Sequence, residues 1–108
     1  MIDWTRLNDL RADIGEADFA AVAQVFVTEM RERLVVLAAN PTAATAEDFH
    51  FLRGSAANLG LSDMVAACNT AEGVCRLGKA PDVADVADAF AAAIIAIAAE
   101  IPGLTNNL

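Results

Sequence analysis

The sequence is poor in several residue types on which protein chemistry most often depends. Its 108 residues include one histidine, one lysine, two cysteines and no tyrosine. One histidine and two cysteines leave little material for a histidine-based metal site, because such sites combine three or four ligands. Seven basic residues face fifteen acidic ones, for a net charge of −8, which argues against binding to nucleic acid or to an anionic membrane. These shortages count against most classes of enzyme and draw attention to the one histidine, His50.

Long apolar runs are also absent. The longest, at residues 89–99, has eleven residues, whereas a helix that spans a bilayer needs about 20. The N-terminal segment 1–6 lacks the basic start and apolar stretch of a secretory signal. We therefore expect a cytoplasmic protein without a membrane partner.

The two cysteines, Cys68 and Cys75, lie seven residues apart in a helical stretch. That spacing separates their Cα atoms by roughly 10 Å, beyond the ~7 Å limit for a disulfide. Both share a helix face with Met64 and Ala71. We predict two buried structural thiols.

Alanine is abundant, at 25 of the 108 positions, which favours closely packed helices over strands. Glycines, prolines and capping residues divide the chain into five helical segments. These are residues 3–14, 18–39, 46–60, 63–78 and 83–100, with Asp3, Asp18, Thr45, Ser62 and Asp82 as predicted caps. Short loops between long helices predict one all-α domain over residues 1–108, an antiparallel four-helix bundle with a short extra N-terminal helix. We expect it to be a monomer, with residues 105–108 as a loose tail.

The helix that contains His50 is predicted to expose this side chain. A lone histidine among apolar residues is most often a core residue. At about 100° per residue, however, Phe49, Leu52, Ala56 and Leu59 share a face on the other side of the helix. The helical phase therefore places His50 toward solvent.

The neighbours of His50 favour an anion-binding role. Arg53 lies one turn on and can reach a group attached to the imidazole, for which an anion is the natural choice. Gly54 lies on the exposed side of the same helix, where a glycine costs about 1 kcal/mol relative to alanine. Close packing of helices cannot explain a glycine on that side, so we expect an external partner to approach there. The pattern is that of a site for a phosphorylated histidine.

The next helix is predicted to add to this site. If the two helices form an antiparallel hairpin that turns near Leu61, Glu72 lies level with His50, and Arg76 lies one turn further. Glu72 can then accept a hydrogen bond from one imidazole nitrogen and leave the other as the nucleophile. An ordinary solvated pair of Glu72 with Arg76 is an equally open reading.

Residues 50–55 read HFLRGS and resemble the His-x-Leu-Lys-Gly-Ser motif of histidine-containing phosphotransfer (HPt) domains. Those domains are four-helix bundles of about this size, so the resemblance covers nearly the whole chain. It implies that His50 is the phosphorylated nucleophile and that Arg53 takes the place of the lysine. It also implies that Gly54 is the small residue beneath the partner and that Ser55 braces the helix. Arg53 departs from the motif, because the planar guanidinium group of arginine replaces the compact ammonium group of lysine.

The function implied by this resemblance is that of a stand-alone histidine phosphotransfer protein in a two-component phosphorelay. His50 would accept a phosphoryl group from a receiver-domain aspartate and pass it to another receiver. The implied partners are response-regulator receiver domains and a hybrid histidine kinase; the receiver brings the Mg²⁺, and this chain binds no cofactor. Phe51, Ala46 and Ala57 are predicted to form part of an apolar docking patch, although Phe51 fits a core position at the bundle edge equally well.

Three other functions are compatible with a small acidic helical bundle. A sensor-kinase dimerisation domain usually has an acidic residue after the histidine and a proline soon afterwards. Here Phe51 follows the histidine, the next proline is Pro81, and no glycine-rich phosphate loop occurs, so we expect no ATP-binding site and no autonomous kinase activity. An acyl-carrier-like protein needs a serine within Asp-Ser-Leu, whereas residues 61–63 read Leu-Ser-Asp. A degenerate HPt-like bundle that binds receivers without transfer is the remaining alternative.

Overall fold

The computed structural model describes residues 1–104, which form an all-α bundle. Its helices are α1 (Trp4–Ile14), α2 (Glu16–Ala39), α3 (Ala46–Asn58), α4 (Ser62–Arg76) and α5 (Val83–Ile97), with short 3₁₀ turns at Pro41–Ala43 and Ala98–Glu100. The predicted all-α fold with a short extra N-terminal helix is confirmed. None of the helices in this part of the chain has the length and apolarity to cross a membrane. The tail predicted for residues 105–108 lies outside the described residues.

Side chains cap three helices at the positions predicted from the sequence. Asp3 is the N-cap of α1 and Asp82 is the N-cap of α5. Each side chain accepts a hydrogen bond from the backbone N–H three residues on. Thr45 is the N-cap of α3 and forms a complete capping box, in which the Asp48 carboxylate accepts a hydrogen bond from the Thr45 backbone N–H at 2.8 Å. These bonds satisfy N–H groups that the first turn of a helix leaves without a partner.

The two other predicted caps are wrong. The second helix begins at Glu16, directly after Gly15, and not after Asp18. Gly15 has φ +96°, a conformation that glycine adopts readily, so the chain turns from α1 into α2 without a linker. The fourth helix begins at Ser62 itself, and the preceding Leu61 offers no side-chain cap. Leu61 is fully buried, so packing of its side chain sets this helix start.

The predicted ends of the first two helices, at residues 14 and 39, agree with the structure, whereas the predicted ends of the last three differ from it by two or three residues. Helices α3, α4 and α5 end at Asn58, Arg76 and Ile97, where turns or 3₁₀ geometry take over. Gly60 and Gly78 follow the first two ends with φ of +74° and +73°. A left-handed glycine here turns the chain out of the helix, so that the next backbone N–H bonds a carbonyl of the last turn: Leu61 donates to Ala56 at 2.9 Å and Lys79 to Val74 at 3.1 Å.

The turn between α3 and α4 is also where the N-terminus attaches. The backbone N–H of Asp3 donates to the Gly60 carbonyl at 2.7 Å, and Ile2 pairs with Leu61 as an isolated bridge. A Cβ atom at Gly60 would collide with the Asp3 carbonyl. The glycine is thus required both by its φ and by this close approach.

Helices α3 and α4 are the most closely associated pair in the bundle. Arg53 contacts Asn69 near the middle of the pair, and Cys75 contacts Ala44 at its open end. Because residue numbers rise along one helix as they fall along the other, the pair is antiparallel. Its inner face joins one core, whose largest fully buried side chains include Leu7, Phe19, Met30, Phe49, Leu52, Leu59, Met64 and Ile94.

The two cysteines are free, and only one matches the prediction fully. Cys68 is completely buried, and burial raises the pKa of its thiol to about 12. Cys75 is half-buried in the last turn of α4, with Sγ 3.8 Å from the Ala44 carbonyl oxygen. The expectation of a second fully buried thiol is therefore wrong, because Cys75 packs against the margin of the core and not within it.

Asp48 fixes the start of α3 against α2. Its carboxylate closes the capping box with Thr45 and accepts a hydrogen bond from Arg33 of α2 at 2.9 Å. Burial acts to raise the pKa of Asp48, but the hydrogen bonds from Thr45 and Arg33 outweigh burial and hold this pKa below its ordinary value of 3.8. The charged form of Asp48 is therefore favoured by folding.

Replacing Asp48 by asparagine is expected to lower the free energy of unfolding by about 1 kcal/mol at pH 7, because the amide keeps an acceptor oxygen but loses the charge that strengthens the bonds from Thr45 and Arg33. A carboxyl whose pKa is lower in the folded state stabilises the fold above its unfolded pKa, and this stabilisation is lost as the pH falls through the folded value. The difference between wild type and variant should thus shrink as the pH falls below 3.8 and vanish once the carboxyl of the folded protein is protonated as well. Urea unfolding at a series of pH values measures this difference. The control is Glu47→Gln, at the exposed residue just before Asp48. If wild type and Asp48→Asn still differ in free energy of unfolding at strongly acidic pH, the ionised carboxylate of Asp48 is not what stabilises the fold.

Candidate functional site

His50 projects from the exposed face of α3. Its side chain is exposed, whereas Phe49, Leu52 and Ala56 on the opposite face are completely buried. The exposure predicted from the helical phase is confirmed. The histidine is thus displayed at the surface by a helix whose other side is anchored in the core.

Arg53 is in direct contact with the imidazole. Its Nη2 lies 2.7 Å from Nδ1 of His50, and its Nη1 donates to Oδ1 of Asn69 on α4 at 2.9 Å. Asn69 was not among the site residues predicted from the sequence. Residues 53 and 69 are equidistant from Leu61, so the antiparallel hairpin that brings Glu72 level with His50 also brings Asn69 level with Arg53.

Glu72 belongs to the same cluster but binds arginines, not the histidine. Its Oε2 accepts a hydrogen bond from Arg76 at 2.7 Å, and its Oε1 lies 3.4 Å from Nη2 of Arg53. Within residues 1–104 Glu72 makes no hydrogen bond to His50, so the predicted bond from the imidazole is absent in this arrangement. Arg53 occupies the position between the two side chains. The reading of a solvated pair also fails, because Glu72 is only 8% exposed.

The electrostatics of the cluster keep Glu72 ionised. The hydrogen bond from Arg76 holds the pKa of Glu72 below its ordinary value, and the nearby charge of Arg53 acts in the same direction against the opposing effect of burial. The same hydrogen bond raises the pKa of Arg76. The site therefore presents one buried carboxylate between two arginines, with Arg53 turned toward His50.

The surface over the next turn of α3 is open. Gly54 is exposed, and a Cβ atom built there would meet no atom within 4 Å. Packing within the chain thus gives no reason for this glycine. Ser55, in contrast, is buried at 7% exposure, on the side of α3 that faces the bundle.

The three predicted docking residues differ in exposure. Ala57 is exposed, whereas Ala46 and Phe51 are half-buried. The guanidinium of Arg33 lies over the Phe51 ring, 4.4 Å from its centroid, and so fixes the ring at the surface by a cation–π contact. A depression between α2 and α3 is lined by Glu29, Glu32, Arg33, Val36 and Phe51. Phe51 therefore combines a partly buried ring with an accessible edge.

Arginines surround the histidine on an otherwise acidic protein. Arg53 and Arg76 lie on its α4 side, and Arg33 lies on its α2 side. Arg6 lines a second depression together with Ala57. Four of the seven basic residues are thus near the site, in a chain with a net charge of −8. No group of three or more histidine, cysteine or acidic side chains in the described part of the chain could hold a metal ion.

The protein is thus a helical bundle with an exposed histidine that an external partner can reach. An arginine contacts the imidazole, and the helix surface at Gly54 is open. The family model described as Hpt domain matches residues 21–100. The chain belongs to this family, and membership implies a part in histidine phosphotransfer within a phosphorelay. No curated protein and no solved structure shows a significant match to the chain.

Proposed function

We propose that His50 accepts a phosphoryl group from the aspartate of a receiver domain and donates it to the aspartate of another. The observation that carries this proposal is the contact between Arg53 and the imidazole at 2.7 Å, on an exposed helix face. An arginine in this position gains most when the ring carries an anion, because charge-assisted hydrogen bonds to phosphoryl oxygens are roughly twice as strong as neutral ones.

The accepting atom is Nε2 of His50. Nδ1 faces Arg53, so Nε2, on the other side of the ring, is the nitrogen left for a partner. Its lone pair attacks the phosphorus in line, the N–P bond forms, and the bond from phosphorus to the aspartyl oxygen breaks. The electron pair of that bond leaves with the receiver carboxylate. The reverse step on a second receiver completes the relay.

The division of chemistry between the partners follows from these groups. Phosphoryl transfer depends mainly on positioning and on neutralisation of charge. This chain contributes the nucleophile and the cation Arg53, while the receiver contributes the phosphoaspartate and the Mg²⁺ that its acidic pocket binds. Glu72 forms an ion pair with Arg53 and accepts a hydrogen bond from Arg76.

The docking face comprises His50, Phe51, Gly54 and Ala57, with Ala46 one turn before His50. Gly54 and Ala57 are exposed and have small side chains, so they leave room for a partner, and the half-buried Phe51 supplies apolar area. Arg33 and Arg6 at its margins complement the acidic active site of a receiver, which favours rapid encounter. The partners are response-regulator receiver domains, with a hybrid histidine kinase upstream, and the exchange takes place in the cytoplasm.

The experiment that tests this function is transfer from a purified phosphorylated receiver in the presence of Mg²⁺. The wild-type chain is expected to gain phosphate that is labile in acid and stable in alkali, as a phosphoramidate is, while the receiver loses its label. A chain that binds receivers but gains no phosphate from any of them would instead support the degenerate bundle. A matched incubation with the unphosphorylated receiver measures binding without transfer.

A further inference from the structure

The contact between Arg53 and His50 defines where the ring proton lies. A guanidinium group only donates hydrogen bonds. Nδ1 of His50, 2.7 Å from Nη2 of Arg53, must therefore accept, with its lone pair directed at the arginine. In a neutral imidazole the proton then resides on Nε2.

This tautomer cannot attack through Nε2. Nucleophilic attack needs a lone pair on the attacking nitrogen, and in this arrangement the lone pair is on Nδ1. The site without a partner is therefore in an unreactive state with respect to the proposed function, on which this inference rests. Transfer requires Arg53 to leave Nδ1, the proton on Nε2 to pass to solvent, and another proton to be taken up at Nδ1. The exchange leaves the net number of protons unchanged.

Asn69 is the neutral side chain that helps to hold Arg53 in this position. Its Oδ1 accepts from Nη1 at 2.9 Å, while Nη2 is directed at His50 and lies 3.4 Å from Glu72. Asn69 is exposed and makes no other side-chain hydrogen bond among the described residues. Its amide is placed to orient Arg53 without contacting the imidazole.

We propose that Asn69 is a positioning residue that, through Arg53, keeps His50 in the unreactive tautomer until a phosphoryl donor docks. The donor's phosphoryl oxygens bind the guanidinium more strongly than a neutral amide and a neutral imidazole do, so Arg53 moves to the phosphoryl group. Nδ1 then carries the proton, and the carboxylate of Glu72, whose Oε1 lies 3.4 Å from the same Nη2 that contacts Nδ1, stabilises the ring in this form. The nucleophile is thus released by the partner that will react with it.

The first test is the tautomer of His50 in the free protein, measured by ¹⁵N NMR of the imidazole at alkaline pH. The wild type is expected to carry its ring proton on Nε2, with resolved, slowly rotating Nη signals from Arg53. Asn69→Ala should give averaged Nη signals and a measurable share of the Nδ1–H tautomer. Asn69→Asp retains the acceptor and should restore the wild-type spectrum. A wild-type ring protonated mainly on Nδ1, or an Asn69→Ala spectrum identical to wild type, would overturn the proposal.

The second test is the rate of phosphorylation by phosphoramidate, a small donor that needs no docking face. In this step Nε2 attacks the phosphorus, the P–N bond of the donor breaks, and ammonia leaves. Asn69→Ala is expected to react faster than wild type by about tenfold, the effect of one lost hydrogen bond to a charged group. Asn69→Asp is expected to react more slowly than wild type, because the carboxylate holds Arg53 more tightly.

Thr70 provides the matched controls. It is the next residue on α4, is exposed, and donates only to the Ala66 carbonyl of its own helix. Thr70→Asp adds the same charge as Asn69→Asp without a partner in Arg53, so it separates the effect of charge on an anionic donor from the effect of holding Arg53. If Asn69→Ala reacts more slowly than wild type or at the same rate, Asn69 does not restrain the histidine, and the proposal is wrong.

The two tests separate this inference from the proposed function. The tautomer measurement needs no donor and no receiver. A wild type that takes phosphate from receivers but has the other tautomer refutes the role of Asn69 and leaves the proposed function standing. A wild type with the expected tautomer that takes phosphate from no donor refutes the proposed function.

Discussion

Replacing His50 by glutamine is expected to abolish phosphate uptake from a phosphorylated receiver. An amide side chain is similar in size to an imidazole, but it has no lone pair of comparable nucleophilicity, so no N–P bond forms. Because His50 is exposed, its replacement should change the free energy of unfolding by no more than about 0.5 kcal/mol. The measurement is transfer of radiolabelled phosphate, followed by incubation in acid and in alkali.

The composition of the chain makes this test unusually clean. His50 is its one histidine, so any phosphohistidine found on the protein must be at this position. Glu47→Gln, an exposed substitution one turn earlier on α3, is the control and should transfer phosphate at the wild-type rate. Acid-labile label that persists on His50→Gln would remove the basis of the site assignment.

Replacing Gly54 by leucine is expected to slow transfer from a receiver by about 100-fold, since displacement of reacting groups by about 1 Å has effects of that size. The glycine lies one turn from His50, and its Cα faces open space, so a leucine there would stand in the path of the partner. The helix itself should tolerate the change and gain up to about 1 kcal/mol of stability, because leucine is the better helix former.

Two comparisons identify obstruction of the partner as the cause. Phosphorylation of Gly54→Leu by phosphoramidate should proceed at close to the wild-type rate, because a small donor needs no docking face. Ala91→Leu adds similar bulk on the exposed side of α5, a helix that packs mainly against α4 and α2, and should transfer normally. Wild-type transfer by Gly54→Leu would mean that no partner approaches over this glycine.

Much of the site could be predicted because helical periodicity is a local property. The phase that buries Phe49, Leu52 and Ala56 in the core necessarily exposes His50. The same periodicity places Arg53 one turn on and Gly54 on the open surface. A hairpin with its turn near Leu61 brings Glu72 and Arg76 to the level of the histidine by geometry alone.

The contacts of these residues could not be predicted in the same way. Arg53 has three competing partners, namely the imidazole, the Asn69 amide and the Glu72 carboxylate. Its position between His50 and Glu72 depends on the distance between α3 and α4, which no local pattern encodes. For this reason the prediction of a hydrogen bond from His50 to Glu72 was wrong, whereas the prediction that Glu72 lies close to the histidine was correct.

The starts of the helices could likewise be predicted only where they depend on local contacts. Asp3, Thr45 and Asp82 cap helices as predicted, because a capping bond involves residues only three apart. Asp18 and Ser62 are equally good capping residues, but the helices near them begin earlier in the chain. The left-handed turn at Gly15 and the burial of Leu61 decide those starts, and both depend on how the helices pack.

The sequence by itself determined the all-α fold, the exposure of His50 and the residues that surround it, because each follows from the period of a helix and from short loops. Only the tertiary structure decided that Arg53 lies against Nδ1, that Asn69 holds it, and that Arg33 covers Phe51. These are contacts of long, flexible side chains between different helices. Their geometry depends on the choice among several polar partners, and that choice is made only when the helices are packed together.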